Sequence, residues 1–140
     1  MDKRLVLSTD GGARGNPGPA GIGGVLSDST TGEPVDSFGK YLGERTNNQA
    51  EYEALLEGLT RAKALGAIQV DCKLDSQLVV EQLRGNYRVK DPDLAKLFVK
   101  VWNLVQTFSK VTFAHVPREQ NKAADKLVNQ AIDRGVLDRV

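Results

Sequence analysis

The chain has 140 residues, of which 40% are hydrophobic and 26% charged, with a formal net charge of +1. That suits one domain over 1–140 with a real core. It excludes a bilayer-spanning apolar run, and the single cysteine, Cys72, excludes an internal disulfide and a cysteine-based zinc site.

Met1-Asp2-Lys3-Arg4 leads straight into apolar sequence with no signal-peptide pattern. A reducing, cytoplasmic setting without membrane attachment is expected. The near-neutral charge does not by itself announce a nucleic-acid binder. Leu5-Val6-Leu7-Ser8-Thr9-Asp10 is an apolar run ending on a carboxylate, with Gly11 and Gly12 behind it. It reads as a buried strand with Asp10 at its C-terminal end, where the backbone breaks into a glycine-rich loop over 11–18. In α/β sheets that end is where ligands bind, although an Asp before two glycines is by itself ordinary turn chemistry. The loop lacks the Gly-Lys-Ser/Thr of a phosphate-binding loop.

A second strand fits 20–26, where Gly21, Gly23 and Gly24 signal close backbone approach or a bulge. A polar hairpin loop over 27–34 and a third strand over 35–42 complete an antiparallel meander. From 47 to 65 the period becomes helical. Leu55, Leu59 and Ala62 line one face, Thr46 or Asn47 caps the start, and Gly66 stops it. Glu51 precedes Leu55 by four, so it points along the apolar face, which is costly for an unpaired carboxylate.

The strand over 68–75 again ends on an acid, Asp75, and a right-handed crossover makes it parallel to the first. Ser76 opens a short helix that Gly85 closes, and Asn86 to Lys90 form a short basic connection. Asp91-Pro92 starts a helix running to about 108, with Trp102 at the border of its apolar stripe and expected in the core. A fifth strand over 111–116 carries the sole histidine, His115, expected to be structural. A last helix runs from about 121 to 134, stopped by Gly135, with Asp125 in its first turns.

This order of elements gives an α/β fold with a mixed five-stranded sheet in the order 3-2-1-4-5, strands 1–3 antiparallel and strands 4 and 5 parallel to strand 1. Neighbouring strands lie roughly 4.8 Å apart, so Asp10 and Asp75 become neighbours. The first and last helices bring Glu51 and Asp125 to the same edge. Four close carboxylates repel one another. Mg²⁺ accepts few carboxylates per ion, so four acids suit two ions. Two ions roughly 3.5–4 Å apart stabilise phosphoryl displacement. Asp2, Asp28, Asp36, Asp71 and Glu119 read as caps or surface charges.

Thr9-Asp10-Gly11-Gly12 with Gly15-Asn16-Pro17-Gly18-Pro19, then Thr46-Asn47-Asn48-Gln49-Ala50-Glu51, Asp75-Ser76-Gln77 and Asn121-Lys122-Ala123-Ala124-Asp125 together resemble type 1 ribonuclease H, which cuts RNA paired with DNA. The resemblance covers essentially the whole chain. It implies Asp10, Glu51, Asp75 and Asp125 as catalytic acids holding two Mg²⁺ ions, with Mn²⁺ as a substitute. One ion would activate water and the other the departing 3′ oxygen, leaving 5′-phosphate and 3′-hydroxyl ends. It also implies 2′-hydroxyl contacts near Gly11, Asn16, Asn48 and Gln77, and contacts toward the DNA strand at Thr46 and Asn47. The expected partner is an RNA–DNA hybrid, with double-stranded RNA left open, bound by a monomer.

Two departures from the family stand out. Longer relatives carry a basic helix where this chain has only Asn86 to Lys90, so grip falls to scattered groups such as Arg14, Arg45, Arg84, Arg88 and Lys90, and affinity should be salt-dependent. Many relatives place a mobile histidine before the last helix. Here Arg118 takes roughly that position and, always protonated, would meet phosphate or product instead of acting as a base. A non-cleaving nucleic-acid-binding module on the same scaffold is the alternative, which the presence of all four acids disfavours. An aspartyl-phosphate phosphotransferase would want a second Asp where Gly12 stands.

Overall fold

The computed structural model describes residues 3–138; Asp2 lies outside them. Along the chain run β1 (Arg4–Ala13), β2 (Gly18–Asp28), β3 (Pro34–Arg45), α1 (Asn47–Ala64), β4 (Gln69–Leu74), α2 (Gln77–Leu83), α3 (Pro92–Val105), β5 (Lys110–His115), a 3₁₀ turn (Arg118–Gln120) and α4 (Lys122–Leu137). The sheet order is β3-β2-β1-β4-β5. β1, β2 and β3 pair antiparallel, and β4 is parallel to both β1 and β5. This is the expected topology. Between α2 and α3 no further helix intervenes.

Period-two alternation sends Leu5 and Leu7 of β1 and Val70, Cys72 and Leu74 of β4 into one core with Leu55 and Leu59 of α1. On the opposite face α4 lies close over β2. A side chain at Gly23 would collide with the Ala124 carbonyl, so the glycines of β2 do permit a close backbone approach. A register shift at Ala20/Gly21 supplies the bulge as well.

Four boundaries and placements differ from the sequence expectation. β1 does not end at Asp10, because β2 keeps pairing with it to Ala13. α3 ends at Val105, where the Thr107 hydroxyl donates to the Leu104 carbonyl at 2.7 Å and Phe108 tucks into the core from the turn beyond. Trp102 is 43% exposed and lies flat on Phe98, with centroids 6.2 Å apart, instead of entering the core. Finally, Gly135 does not stop α4, which continues to Leu137.

Gly66 and Gly85, with φ of 85° and 82°, do terminate helices in the left-handed conformation expected of a stop. Gly135 has no such φ. It is buried in the helix, and a Cβ there would strike the root of the Tyr41 ring on β3. Its role is packing. Gly135→Ala should therefore lower stability by about 1–3 kcal/mol through overpacking, although alanine is the better helix former. Urea unfolding of both proteins measures this; a neutral or stabilising alanine would return Gly135 to the status of a helix signal.

Candidate active site

The site begins with an unequal pair of strand lengths. β4 leaves β1 after the Ser8–Lys73 pair, whereas β2 accompanies β1 to Ala13–Ala20. Beyond Ser8, the flank of β1 that faced β4 has no strand against it. Alternate residues of an antiparallel strand direct both backbone groups to the same side. Thr9, Gly11 and Ala13 thus present theirs to the vacated flank, and buried backbone groups need partners.

Two side chains of α1 and one from the residue just before α4 supply them. Asn121, preceding α4, donates from Nδ2 to the Thr9 carbonyl at 2.8 Å. The Gly11 N–H donates to Glu51 Oε1 at 3.4 Å, and the Ala13 N–H donates to Asn47 Oδ1 at 2.8 Å. Gly11 has no side chain because a Cβ would fall on the α1 backbone at Ala50. α1 therefore comes near enough for Glu51 to reach across the end of the sheet.

Asp75 is the first residue after β4, held between the strand and Ser76, whose Oγ accepts the Val79 N–H at 3.3 Å and caps α2. One oxygen each from Asp10, Glu51 and Asp75 lies within 4.8 Å of the others. Asp10 and Glu51 are each only 7% exposed. Asp125, in the first turn of α4, faces Asp10 and meets Arg118 Nη2 at 3.5 Å. These residues line one open cleft of about 410 Å³. The structure thus brings together the four acids and Arg118, although Arg118 itself is 78% exposed.

Burial, and then the charge of Asp75, push the Asp10 carboxyl up to about 7. Glu51 is raised well above the carboxylate range, first by burial and then by Asp10 and Asp75. Burial also raises Asp75, with Arg118 and His115 pulling the other way and Asp125 adding to the rise. Three crowded carboxylates without an adequate counter-charge cannot all ionise. One buried oxygen, Glu51 Oε2, has no hydrogen-bond partner. An all-oxygen donor set with an unpartnered, desolvated carboxylate oxygen fits a hard divalent cation, which takes the place of the proton.

The other sequence-predicted residues divide. Thr46 forms a capping box, accepting the Gln49 N–H at 3.2 Å while Gln49 Oε1 accepts the Thr46 N–H at 2.9 Å. Asn47 does not cap; it holds Ala13, and its own N–H donates to Asn16 Oδ1 at 3.1 Å. Asn16 thereby links the hairpin to α1. The half-buried Asn48 and exposed Gln77 open α1 and α2.

Among the basic groups, Arg14 pairs with Asp133 at 2.6 Å, Arg45 with Glu53 at 3.0 Å, and Arg84 donates to the Phe113 carbonyl at 2.7 Å. These three brace the fold, leaving Arg88 and Lys90 exposed on the connection. His115, expected to be structural, is exposed at the end of β5, on the side where its charge acts on Asp75. Asn121 was legible only as part of a motif. Its contact with Thr9 spans 112 positions, which no local pattern reveals.

A family model described as reverse transcriptase-like matches residues 8–131. The bifunctional protein Rv2228c of Mycobacterium tuberculosis is 43% identical over 93% of this chain and 36% of its own length. The chain thus spans about a third of that relative. Ribonuclease HI of Halobacterium salinarum is 44% identical over 93% of this chain and 65% of its own length. The structure of LC11-RNase H1 in complex with an RNA/DNA hybrid superposes with a TM-score of 0.90 at 43% identity, covering 94% of this chain and 99% of that one.

The raised Asp10 carboxyl sets a pH dependence with a definite sign. The folded state binds a proton that the unfolded state releases above its ordinary 3.8. Without metal, stability is therefore fully present below pH 4 as far as this group is concerned, and is lost as pH rises through about 7. Asp10→Asn should flatten that slope and stabilise the metal-free protein at pH 8 by on the order of 2–4 kcal/mol. Unfolding in a chelator between pH 5 and 8 measures it; identical slopes for the two proteins would contradict the crowding.

Proposed function

Because the chain belongs to the type 1 ribonuclease H family, we propose that residues 1–140 form one ribonuclease H domain that hydrolyses the RNA strand of RNA–DNA hybrids. The products carry 5′-phosphate and 3′-hydroxyl ends. The observation that carries this reading is the convergence of Asp10, Glu51 and Asp75 within 4.8 Å, with Asp125 beside them, on the vacated flank of β1. Asp10, Glu51, Asp75 and Asp125 would hold two Mg²⁺ ions, with Mn²⁺ as a substitute. When bound, these ions supply Lewis-acid stabilisation of the phosphodiester and activation of water.

The chain's own residues do the rest. Asp10 is fixed on a strand and Glu51 on a helix, so both stay in place as charge develops. Their burial keeps water from screening the field. Arg118 is an exposed guanidinium at the rim of the cleft, so it meets the phosphate or the departing product. Gly11, Asn16, Asn48 and Gln77 contact 2′-hydroxyls of the RNA strand in the shallow groove, while Thr46 and Asn47 lie toward the DNA strand. The exposed Arg88 and Lys90 contribute grip, and binding weakens with salt. The solved hybrid complex of LC11-RNase H1 supports this choice of substrate. Double-stranded RNA is a second candidate substrate.

Among the described residues no helix is long and apolar enough to cross a membrane. We assign the chain to the cytoplasm as a monomer.

Incubating a labelled hybrid, a double-stranded RNA and a double-stranded DNA with Mg²⁺ or Mn²⁺ tests the assignment. The hybrid should be cut in its RNA strand and Asp10→Asn should abolish the cut; an intact hybrid under both metals would overturn the reading. Arg118→Ala should slow turnover about tenfold, equivalent to about 1.4 kcal/mol in the barrier, with metal affinity retained. Unchanged kinetics would remove Arg118 from the site.

A further inference from the structure

Asn121 is 2% exposed and stands at the N-cap of α4, where an asparagine ordinarily accepts a hydrogen bond from the first turn of its helix. Here it makes no such bond. Its amide instead donates to the Thr9 carbonyl of β1 at 2.8 Å. Its backbone N–H donates to the Arg118 carbonyl at 2.9 Å, and its backbone carbonyl accepts the Asp125 N–H at 3.1 Å. Thr9 is fully buried and is joined directly to Asp10.

One residue therefore ties together the backbone of β1 beside Asp10, the turn that carries Arg118 and the helix start that carries Asp125. The Asp10 and Asp125 carboxyls approach each other directly, but between two acids that contact needs a proton or a cation, whereas the Asn121 amide is a neutral link between β1 and the start of α4; Arg14 reaches α4 only farther along the hairpin. Giving up the cap makes sense if the side chain has a second task.

We propose that Asn121 is a positioning residue that sets the distance between Asp10 and Asp125, and with it the grip of the site on divalent metal. The proposal rests on the metal-dependent reading of the acids given above. A group that orients metal-holding residues typically contributes about 10–100-fold to affinity or activity. Loss of this link should accordingly weaken the metal and slow turnover together, while leaving capture of the hybrid alone.

Asn121→Ser separates this role from simple capping. Serine is a good N-cap and keeps α4 intact, but it is too short to reach Thr9 from the same backbone. Calorimetric titration of the folded protein with Mn²⁺ and steady-state cleavage of a labelled hybrid are the two readouts, with Asn121→Ala as a second variant and melting temperatures for both. In the serine variant the Mn²⁺ dissociation constant should rise about tenfold or more and kcat should fall in parallel, with KM for the hybrid unchanged. The melting temperature should fall in both variants, because each leaves the buried Thr9 carbonyl unpaired, and fall further in the alanine variant, which also lacks a cap. Wild-type Mn²⁺ affinity and kcat in the serine variant would overturn the proposal. So would losses confined to the alanine variant that follow its melting temperature, which would make Asn121 a cap. If the wild-type protein neither binds Mn²⁺ nor cleaves the hybrid, the metal reading itself fails, an outcome distinct from failure of the variant alone.

Discussion

β4 stops short of its neighbour, and the site grows from that mismatch. A strand that loses one partner while keeping the other exposes polar backbone on one side, and burying that backbone unpaired is costly. β1 meets this constraint with side chains from α1 and from the residue before α4. The helices are drawn to the end of the sheet by those bonds, and they carry Glu51 and Asp125 with them. Asp75 arrives there because it is where β4 ends. The hydrogen bonds of one strand flank thus select which acids meet.

The same arrangement works against stability until something positive occupies it. Asp10 and Glu51 are buried against each other and against Asp75, which raises both carboxyls above the range of a surface carboxylate in the metal-free protein. Elsewhere the chain compensates in ordinary ways: a capping box at α1, an aspartate and proline at the start of α3, and close packing of α4 on glycines of β2. The strain is electrostatic and local. It sits where a divalent cation and a polynucleotide phosphate relieve it, which connects the cost in stability to the chemistry proposed.

The fold was readable because its elements announce themselves locally. The apolar run over 5–10 with glycines behind it, the period of 3.6 from Asn47 and the Asp91-Pro92 start are signals that need only a dozen residues. The four acids were readable because Asp10 stands where an apolar run gives way to glycines, Asp75 where the next such run stops, and Glu51 and Asp125 in the first turns of helices. Other features resisted for physical reasons. Gly135 looks like a stop because glycine often is one; only the Tyr41 ring, 94 positions away in the chain, shows it to be a packing site. Trp102 is apolar enough for the core, yet its stacking on Phe98 leaves it half in water. β1 outruns Asp10 because strand length is decided by the partner strand, and Asn121 looks like a cap because its bond partner lies in another element.

The central claim is that the vacated flank of β1 creates a site for divalent cations among Asp10, Glu51, Asp75 and Asp125. A crystal structure of the protein soaked in Mn²⁺, read by anomalous scattering, tests it most directly. The account predicts anomalous density between these four carboxylates, resolving at saturation into two ions roughly 4 Å apart. Density confined to other acids of the surface, or none at saturating Mn²⁺, would contradict it.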